Sequence, residues 1–372
     1  MNFEFSEDQN LLREQARGFL KDNCPTTVVR KVLDANAGHD ADLWRKIVEM
    51  GWTATTIPEE FGGLGLGYLE LCVIAEELGR AVAPVPFSSS VYLATEALLL
   101  AGSQAQKEKW LPKLAAGEAI GTFATAEGAG RTTPKSLTTA VAGGKISGTK
   151  VPVPDAGIAQ LAVVLAKHDG GDGAALYLVE LGQGGTTVTP VPTLDPTRGH
   201  GELKLAGAAC EALGKPGEGW ALTQKLLDRA AVLFAWEQVG GSEAALEQAR
   251  EYALGRYAFG RPIAGYQAIK HKLANMYVKN TLARSNCYYG AWALNTNAPE
   301  LALAAATARV SATQAYYFAA KENIQTHGGM GYTWEFDCQF YYRRSKLLSV
   351  NLGSEGLWQD KLITAVEQSN AA

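Results

Sequence analysis

Two short segments in the last third of the chain gather residue types suited to holding a ligand. Arg256-Tyr257-Ala258-Phe259-Gly260-Arg261-Pro262-Ile263, followed by Gln267, sets two guanidiniums around a glycine. Gln325-Thr326-His327-Gly328-Gly329-Met330-Gly331-Tyr332 carries a glycine pair. The chemistry in these types is donation. A guanidinium presents several N–H groups in one plane, and glycine leaves backbone N–H groups open to close approach. Each segment also has a plainer reading. Gly328-Gly329 suits a helix C-cap, and Arg256 suits a surface position beside the carbonyls ending its own helix. Elsewhere the reactive types are dispersed. The five cysteines (Cys24, Cys72, Cys210, Cys287, Cys338) show no CxxC pairing and are odd in number, which fits reduced thiols better than a disulfide framework or zinc site. His39, His168, His200, His271 and His327 lack partners at metal-ligand spacing, so structural or solvated roles are expected.

The elements that must position these segments follow from composition and pattern. The chain has 372 residues, 47% hydrophobic and 19% charged, with a net charge of −4. That length suits about two or three domains with ample core. The mild negative charge, with no basic stripe, argues against nucleic acid as main partner. No apolar run reaches the ~18 residues of a membrane span, and the opening Met1-Asn2-Phe3-Glu4-Phe5 shows no signal-peptide pattern, so a cytoplasmic location is expected. About half of the 40 glycines fall between Gly121 and Gly219, where β-branched residues and turn pairs also concentrate. On either side the pattern is helical. Ser6 and Gln9 form a capping-box pattern, and helices are expected over Ala41–Met50, Tyr68–Gly79, Ser89–Ala101 and Lys107–Ala115. Strands are expected over Ala159–Ala166, Ala174–Glu180 and Thr186–Val191. After Gly219 strand signals vanish. Trp220–Leu254, Pro262–Leu294 and Pro299–Thr326 read as three long helices, the last two with proline near the first turn, and a final helix runs from Leu357 to about Val366. The order is helices, sheet, helices.

The sequence resembles the acyl-CoA dehydrogenase family over essentially its whole length. The segment from Arg256 is similar to the family's RxxFGxPI…Q signature, Gln325–Tyr332 to its QxxGGxGY, and Pro58-Glu59-Glu60-Phe61-Gly62-Gly63-Leu64-Gly65 to its PExxGGxG loop. The resemblance implies an α+β multi-domain fold. An N-terminal helical domain (1–118), a middle β-barrel-like domain (119–219) and a C-terminal four-helix-bundle domain (220–372) are expected. It also implies FAD as cofactor, an acyl-CoA substrate and an electron acceptor such as electron-transfer flavoprotein. In this family the two C-terminal motifs reach across a subunit interface to the flavin held mainly by a neighbouring chain. Arg256 would meet the pyrophosphate with its guanidinium, and Gly328 and Gly329 with backbone N–H groups; Phe259, Gln267 and Gln325 belong to the same set.

The pattern departs from the family in two places. The middle-domain TEPxxGSD appears as Thr125-Ala126-Glu127-Gly128-Ala129-Gly130-Arg131-Thr132, with Thr125 and Gly130 retained as cofactor contacts. The next flavin-contacting segment, K-x-W-I-T, appears as Lys150-Val151-Pro152-Val153-Pro154. Stacking by Trp is lost at Pro152, and a hydroxyl and a backbone donor are lost at Pro154. The catalytic base departs further. One subgroup carries its glutamate where this chain has Leu352, another where it has Ala230, and neither residue accepts a proton. Glu355 and Glu237 are the weak candidates for a relocated base; each also suits a solvated or interface carboxylate. Asp228 matches a residue the family uses near the CoA chain, with capping or solvation as the plain alternative.

The retained set serves a neighbour's flavin and the lost set serves the chain's own. The expectation is therefore a subunit of a heteromeric acyl-CoA dehydrogenase that desaturates an acyl-CoA at Cα–Cβ, with a homologous partner supplying the base. The alternatives are a self-sufficient homotetramer with a displaced base, an interaction subunit that binds no flavin, and a flavoprotein of this fold whose chemistry needs no base.

Overall fold

The computed structural model describes residues 5–168, 170 and 173–371. The reading of Met1–Glu4 as lacking a targeting pattern lies outside the described residues. The chain divides into two compact units, one of residues 1–31, 68–83 and 231–372, the other of residues 32–67 and 84–230.

The first unit is helical. Helix α1 (Glu7–Asn23) starts at the expected capping box: Gln9 N–H donates to Ser6 Oγ at 3.2 Å, and Ser6 N–H to Gln9 Oε1 at 2.9 Å. It packs on α4 (Tyr68–Arg80). The remainder is built from α7 (Gly219–Gly255, from Ala231 onward), α8 (Gln267–Asn295), α9 (Leu301–His327), α10 (Cys338–Leu348) and α11 (Glu355–Ala371). Two glycines allow α4 and α7 to touch backbone to backbone. A Cβ at Gly79 would lie 1.8 Å from the Glu237 carbonyl oxygen, and one at Gly240 would lie 1.9 Å from that of Glu76. No larger residue fits either place.

The second unit joins α3 (Ala41–Glu49), a buried π-helix (Ser88–Thr95), α5 (Glu96–Ala101) and α6 (Gln104–Ala115) to a mixed sheet; α2 (Thr26–Ala35) ends in it. The strands are β1 (Gly121–Ala124), β2 (Ala140–Ala142), β3 (Lys145–Pro154), β4 (Leu161–Lys167), β5 (Ala174–Glu180), β6 (Thr186–Pro190), β7 (His200–Ala209) and β8 (Glu211–Leu213). They lie in the order β6-β7-β3-β2-β4-β5-β8, with β1 parallel beside β4. Strands β4 and β5 are buried from end to end but for one terminal residue each, so they read as unbroken apolar runs rather than alternating ones.

Helical flanks around a mixed sheet are the architecture the family resemblance implied. Several local expectations need correction. Pro262 does not start the second long helix. It lies in β10 (Arg261–Pro262), paired antiparallel with β9 (Tyr257–Ala258) across a two-residue turn, and α8 begins only at Gln267. Phe259 and Gly260 both have positive φ, +51° and +80°, so the chain reverses there and cannot run on as a helix. Helices α2 and α10 were not anticipated. The Thr/Val-rich α2 is a poor helix former by propensity, but burial of Val29, Val32 and Leu33 overrides it. Strands β3 and β7 were also missed. Pro152 reads as a strand breaker, yet it falls where the β3–β7 register shifts between Lys150 and Val153, a bulge that needs no ladder donor.

Candidate functional site

The two C-terminal motifs lie far apart in sequence, and the first unit brings them together. The Tyr252 ring stacks on His327 with centroids 4.1 Å apart, and Phe336 meets both edge-on, at 6.0 Å and 5.6 Å. Tyr252 sits one turn before Arg256, and His327 immediately precedes Gly328. The stack therefore holds the end of α7 against the end of α9. His327 Nδ1–H donates to the Asn323 carbonyl at 2.9 Å, and burial lowers the imidazole pKa below its ordinary value. The structure buries His327 in this stack, where sequence reading allows it a structural or solvated role. That reading missed Tyr252 and Phe336, whose only sequence signal is their position just outside each motif.

Around that stack the retained residues face outward. Arg256 is exposed; its N–H caps α7 on the Tyr252 carbonyl at 2.8 Å while its guanidinium stands in solvent. Phe259 is 97% exposed at the hairpin tip. The hairpin beneath it is braced by Tyr266, whose hydroxyl donates to the Ala258 carbonyl at 2.9 Å and whose ring lies 4.1 Å under the Arg261 guanidinium. Gln267 opens α8 and Gln325 lies in the last turn of α9, both exposed. Gly328, at φ +60°, does cap α9, its N–H donating to the Gln325 carbonyl. Both Gly328 and Gly329 are exposed, and a Cβ on either would meet nothing within 4 Å. The cap and an open cradle coexist at this turn.

The two positions at which the sequence resemblance led a base to be expected are aliphatic and buried. Ala230 is 0% and Leu352 4% exposed, and the Leu352 carbonyl accepts the Trp358 indole N–H at 3.1 Å. Of the weak candidates, Glu237 is 1% exposed and lies beside Arg344, with Nη1 to Oε1 at 3.6 Å. Glu355 begins α11, where its Oε1 accepts from Gln314 at 2.7 Å and from Gln359 at 2.9 Å. Asp228 is 9% exposed on α7, and its neighbour Arg229 forms a buried ion pair with Glu96.

In the second unit, Thr125 follows β1, and Gly130 is exposed with φ +109°. The segment between them is tied to β3. Val151 N–H donates to the Ala126 carbonyl and Gly128 N–H to the Val151 carbonyl, both at 2.9 Å. The β3 bulge frees Val151 from β7 for this pairing. Lys150, fully buried, reaches Glu127 Oε1 at 2.8 Å and the Thr125 carbonyl at 3.3 Å. Burial alone would raise the Glu127 carboxyl, but hydrogen bonds from Lys150, Thr138 and Thr139 outweigh it and hold the pKa at about 2.

Comparison with known proteins identifies the family. The acyl-CoA dehydrogenase N-terminal domain matches residues 6–118 and the acyl-CoA dehydrogenase C-terminal domain residues 217–365. The chain is 33% identical over 342 residues to the acyl-CoA dehydrogenase IpdE2 of Mycolicibacterium smegmatis, covering 91% of this chain and 93% of that one. Among solved structures, butyryl-CoA dehydrogenase of Megasphaera elsdenii aligns with a TM-score of 0.91 at 25% identity, over 98% of this chain and 100% of that one. A chain of the ChsE4-ChsE5 complex from Mycobacterium tuberculosis aligns with a TM-score of 0.89 at 27% identity, over 99% of each. The chain belongs to the acyl-CoA dehydrogenase family, FAD-dependent oxidoreductases acting on the CH–CH bond of acyl-CoA thioesters.

The residues present fit that cofactor unevenly. On the helical side, an exposed guanidinium and the open Gly328-Gly329 turn are a donor set suited to phosphates. On the sheet side, the backbone donors of Gly128 and Val151 are already bonded within the chain, and Pro152 and Pro154 have none to offer. Among the described residues, no helix is long and apolar enough to cross a membrane.

Proposed function

We propose that this chain is one subunit of a heteromeric FAD-dependent acyl-CoA dehydrogenase, built as domains 1–118, 119–219 and 220–372. Through Arg256, Phe259, Gln267, Gln325, Gly328 and Gly329 it completes the flavin site of a homologous partner subunit, and that partner carries the base. Bound FAD would accept the hydride lost from Cβ of the acyl-CoA as the partner's base removes the α-proton, and would pass its electrons to an acceptor such as electron-transfer flavoprotein. Thr125 and Gly130 would be this chain's remaining contacts on its own sheet side, and Asp228 its contact to the CoA chain.

The observation that carries this reading is the burial of Leu352 and Ala230, which puts aliphatic side chains at both positions where the family keeps a glutamate. The outward-facing donors around the Tyr252–His327 stack support it from the other side, and among the described residues the ring of Phe259 is left 97% exposed. The similarity to a chain of a named two-component complex points the same way. Co-purification from the native source, with mass spectrometry of the chains and a flavin count by absorbance, tests it. One FAD per two different chains is expected. A chain that purifies alone with one FAD per subunit and desaturates an acyl-CoA would overturn the proposal in favour of a homotetramer, and a colourless assembly would favour an interaction subunit.

A further inference from the structure

On the reading that the hairpin completes a partner's FAD site, we propose that Arg261 is a second guanidinium for that flavin's pyrophosphate, beside Arg256 and held ready by Tyr266. The chain carries one arginine on each side of the Phe259-Gly260 turn, and the pairing of the hairpin decides how they stand. Arg261 lies opposite Ala258, and Pro262 opposite Tyr257. One step further out, the Ile263 N–H donates to the Arg256 carbonyl at 2.8 Å, so these two residues face each other. Side chains directly opposite share a face of the ribbon, and so do those two residues apart. Arg256, Ala258, Arg261 and Ile263 therefore lie on one face, with the two arginines as diagonal neighbours about 7–8 Å apart. Ala258 adds only a methyl group beside them.

Elsewhere in the same unit, Arg13, Arg17, Arg30, Arg80, Arg284 and Arg344 each stand beside a carboxylate. Arg256 and Arg261 differ. Both are exposed, and among the described residues neither guanidinium forms an ion pair or a hydrogen bond with the protein. Contacts within the hairpin nevertheless position Arg261. Its stem passes Gly265, where a Cβ would stand 3.5 Å from Cδ and 3.8 Å from Nε, and its guanidinium lies 4.1 Å from the centroid of the Tyr266 ring. Tyr266 is fixed in turn by its hydroxyl, which donates to the Ala258 carbonyl at 2.9 Å. Stacking covers one face of a guanidinium and leaves the N–H donors at its edge, where they point within the plane of the group. A cation ordered in advance and lacking a counter-charge suits an anion, because little side-chain freedom remains to be lost on binding. Two such cations on one face suit two adjoining negative charges, which in this cofactor are the linked phosphates. Arg256 alone would balance only one of them.

Flavin titration tests this role. Tagged Arg261→Ala, Arg261→Gln and Arg256→Ala chains are purified from the native source in their assembly, stripped of flavin, and titrated with FAD by flavin fluorescence at several salt concentrations. Each Arg261 variant should bind FAD at least ~10-fold more weakly at low salt, the scale of one charge-assisted bond. That loss should shrink as salt screens the exposed charges. Arg261→Gln keeps the stem along Gly265 without the charge, and it decides the matter if Arg261→Ala does not assemble. Unchanged FAD affinity in both Arg261 variants, with Arg256→Ala weakened, overturns the second guanidinium and leaves the partner-flavin reading standing. Unchanged affinity in all three overturns both. A loss that salt does not alter makes Arg261 a brace of the hairpin rather than a phosphate ligand, and overturns the proposal as well.

Discussion

Arg344 Nη1 stands 3.6 Å from Glu237 Oε1, and neither side chain is more than 1% exposed. The arginine also donates to the carbonyls of Ala83, at 3.3 Å, and Val82, at 3.4 Å. Glu237, two turns along α7 from Ala230, therefore lies in the packing of helices α7 and α10, where it balances a buried guanidinium. A base needs a lone pair open to substrate, and a carboxylate held beside a buried cation is a poor one.

Glu237→Gln should lower unfolding stability by about 3 kcal/mol, because Arg344 loses its counter-charge in a dry site. Urea denaturation measures that loss. The rate per folded molecule in the active assembly should fall by less than the ~10²-fold expected on removing a general base. Glu355→Gln should change stability by no more than about 0.5 kcal/mol and leave the rate unchanged, since its partners Gln314 and Gln359 can pair with an amide as well. A loss of ~10²-fold at either position in folded protein would make that residue the base.

The Lys150–Glu127 pair gives the sheet unit an acid-sensitive tie. Glu127 has a folded pKa of about 2 against an ordinary value of 4.5. A depressed carboxylate contributes stability that is complete above its unfolded value and is lost as pH falls through the folded one. Stability should therefore decline between about pH 4.5 and pH 2, with Glu127 contributing about 2 kcal/mol at neutral pH after allowance for solvent screening. In Glu127→Gln that part of the pH dependence should vanish, as seen by chemical denaturation at a series of pH values.

Phe259 occupies a left-handed turn position that favours Asn or Gly. Phe259→Asn should stabilise the isolated chain by about 1 kcal/mol, measured by thermal unfolding, because the backbone strain is relieved and no internal packing is lost. The same variant should retain less flavin in the assembly, read by absorbance after gel filtration. A gain in stability with full flavin retention would free the ring of any role outside the chain.

Gly79→Ala or Gly240→Ala should each cost about 3 kcal/mol or more, because the new methyl would overlap a helix carbonyl and α4 and α7 would have to separate. Circular dichroism melting curves check this, and a neutral result at either site would mean the helices can shift apart at no cost.

The motif segments were legible because their residue types and order are local properties of the chain. Arg256, Phe259, Gln267, Gln325 and the Gly328-Gly329 pair could be named before any fold was known, as could the aliphatic residues at Leu352 and Ala230. The long amphipathic and buried helices and the unbroken runs of β4 and β5 were equally visible, since each repeats its pattern over many residues. The hairpin at Phe259 was read as helix because a proline near an apolar run imitates an N-terminus, while the positive φ that reverses the chain belongs to the backbone.

What the sequence determined alone, then, is the family and the order of helices and sheet. The tertiary structure decided which polar groups face each other. It joined the two motifs through Tyr252 and His327, and turned Glu127 toward Lys150 and Glu237 toward Arg344. Such pairings depend on angstrom-scale distances between residues remote in sequence, and burial multiplies their energies once water is excluded.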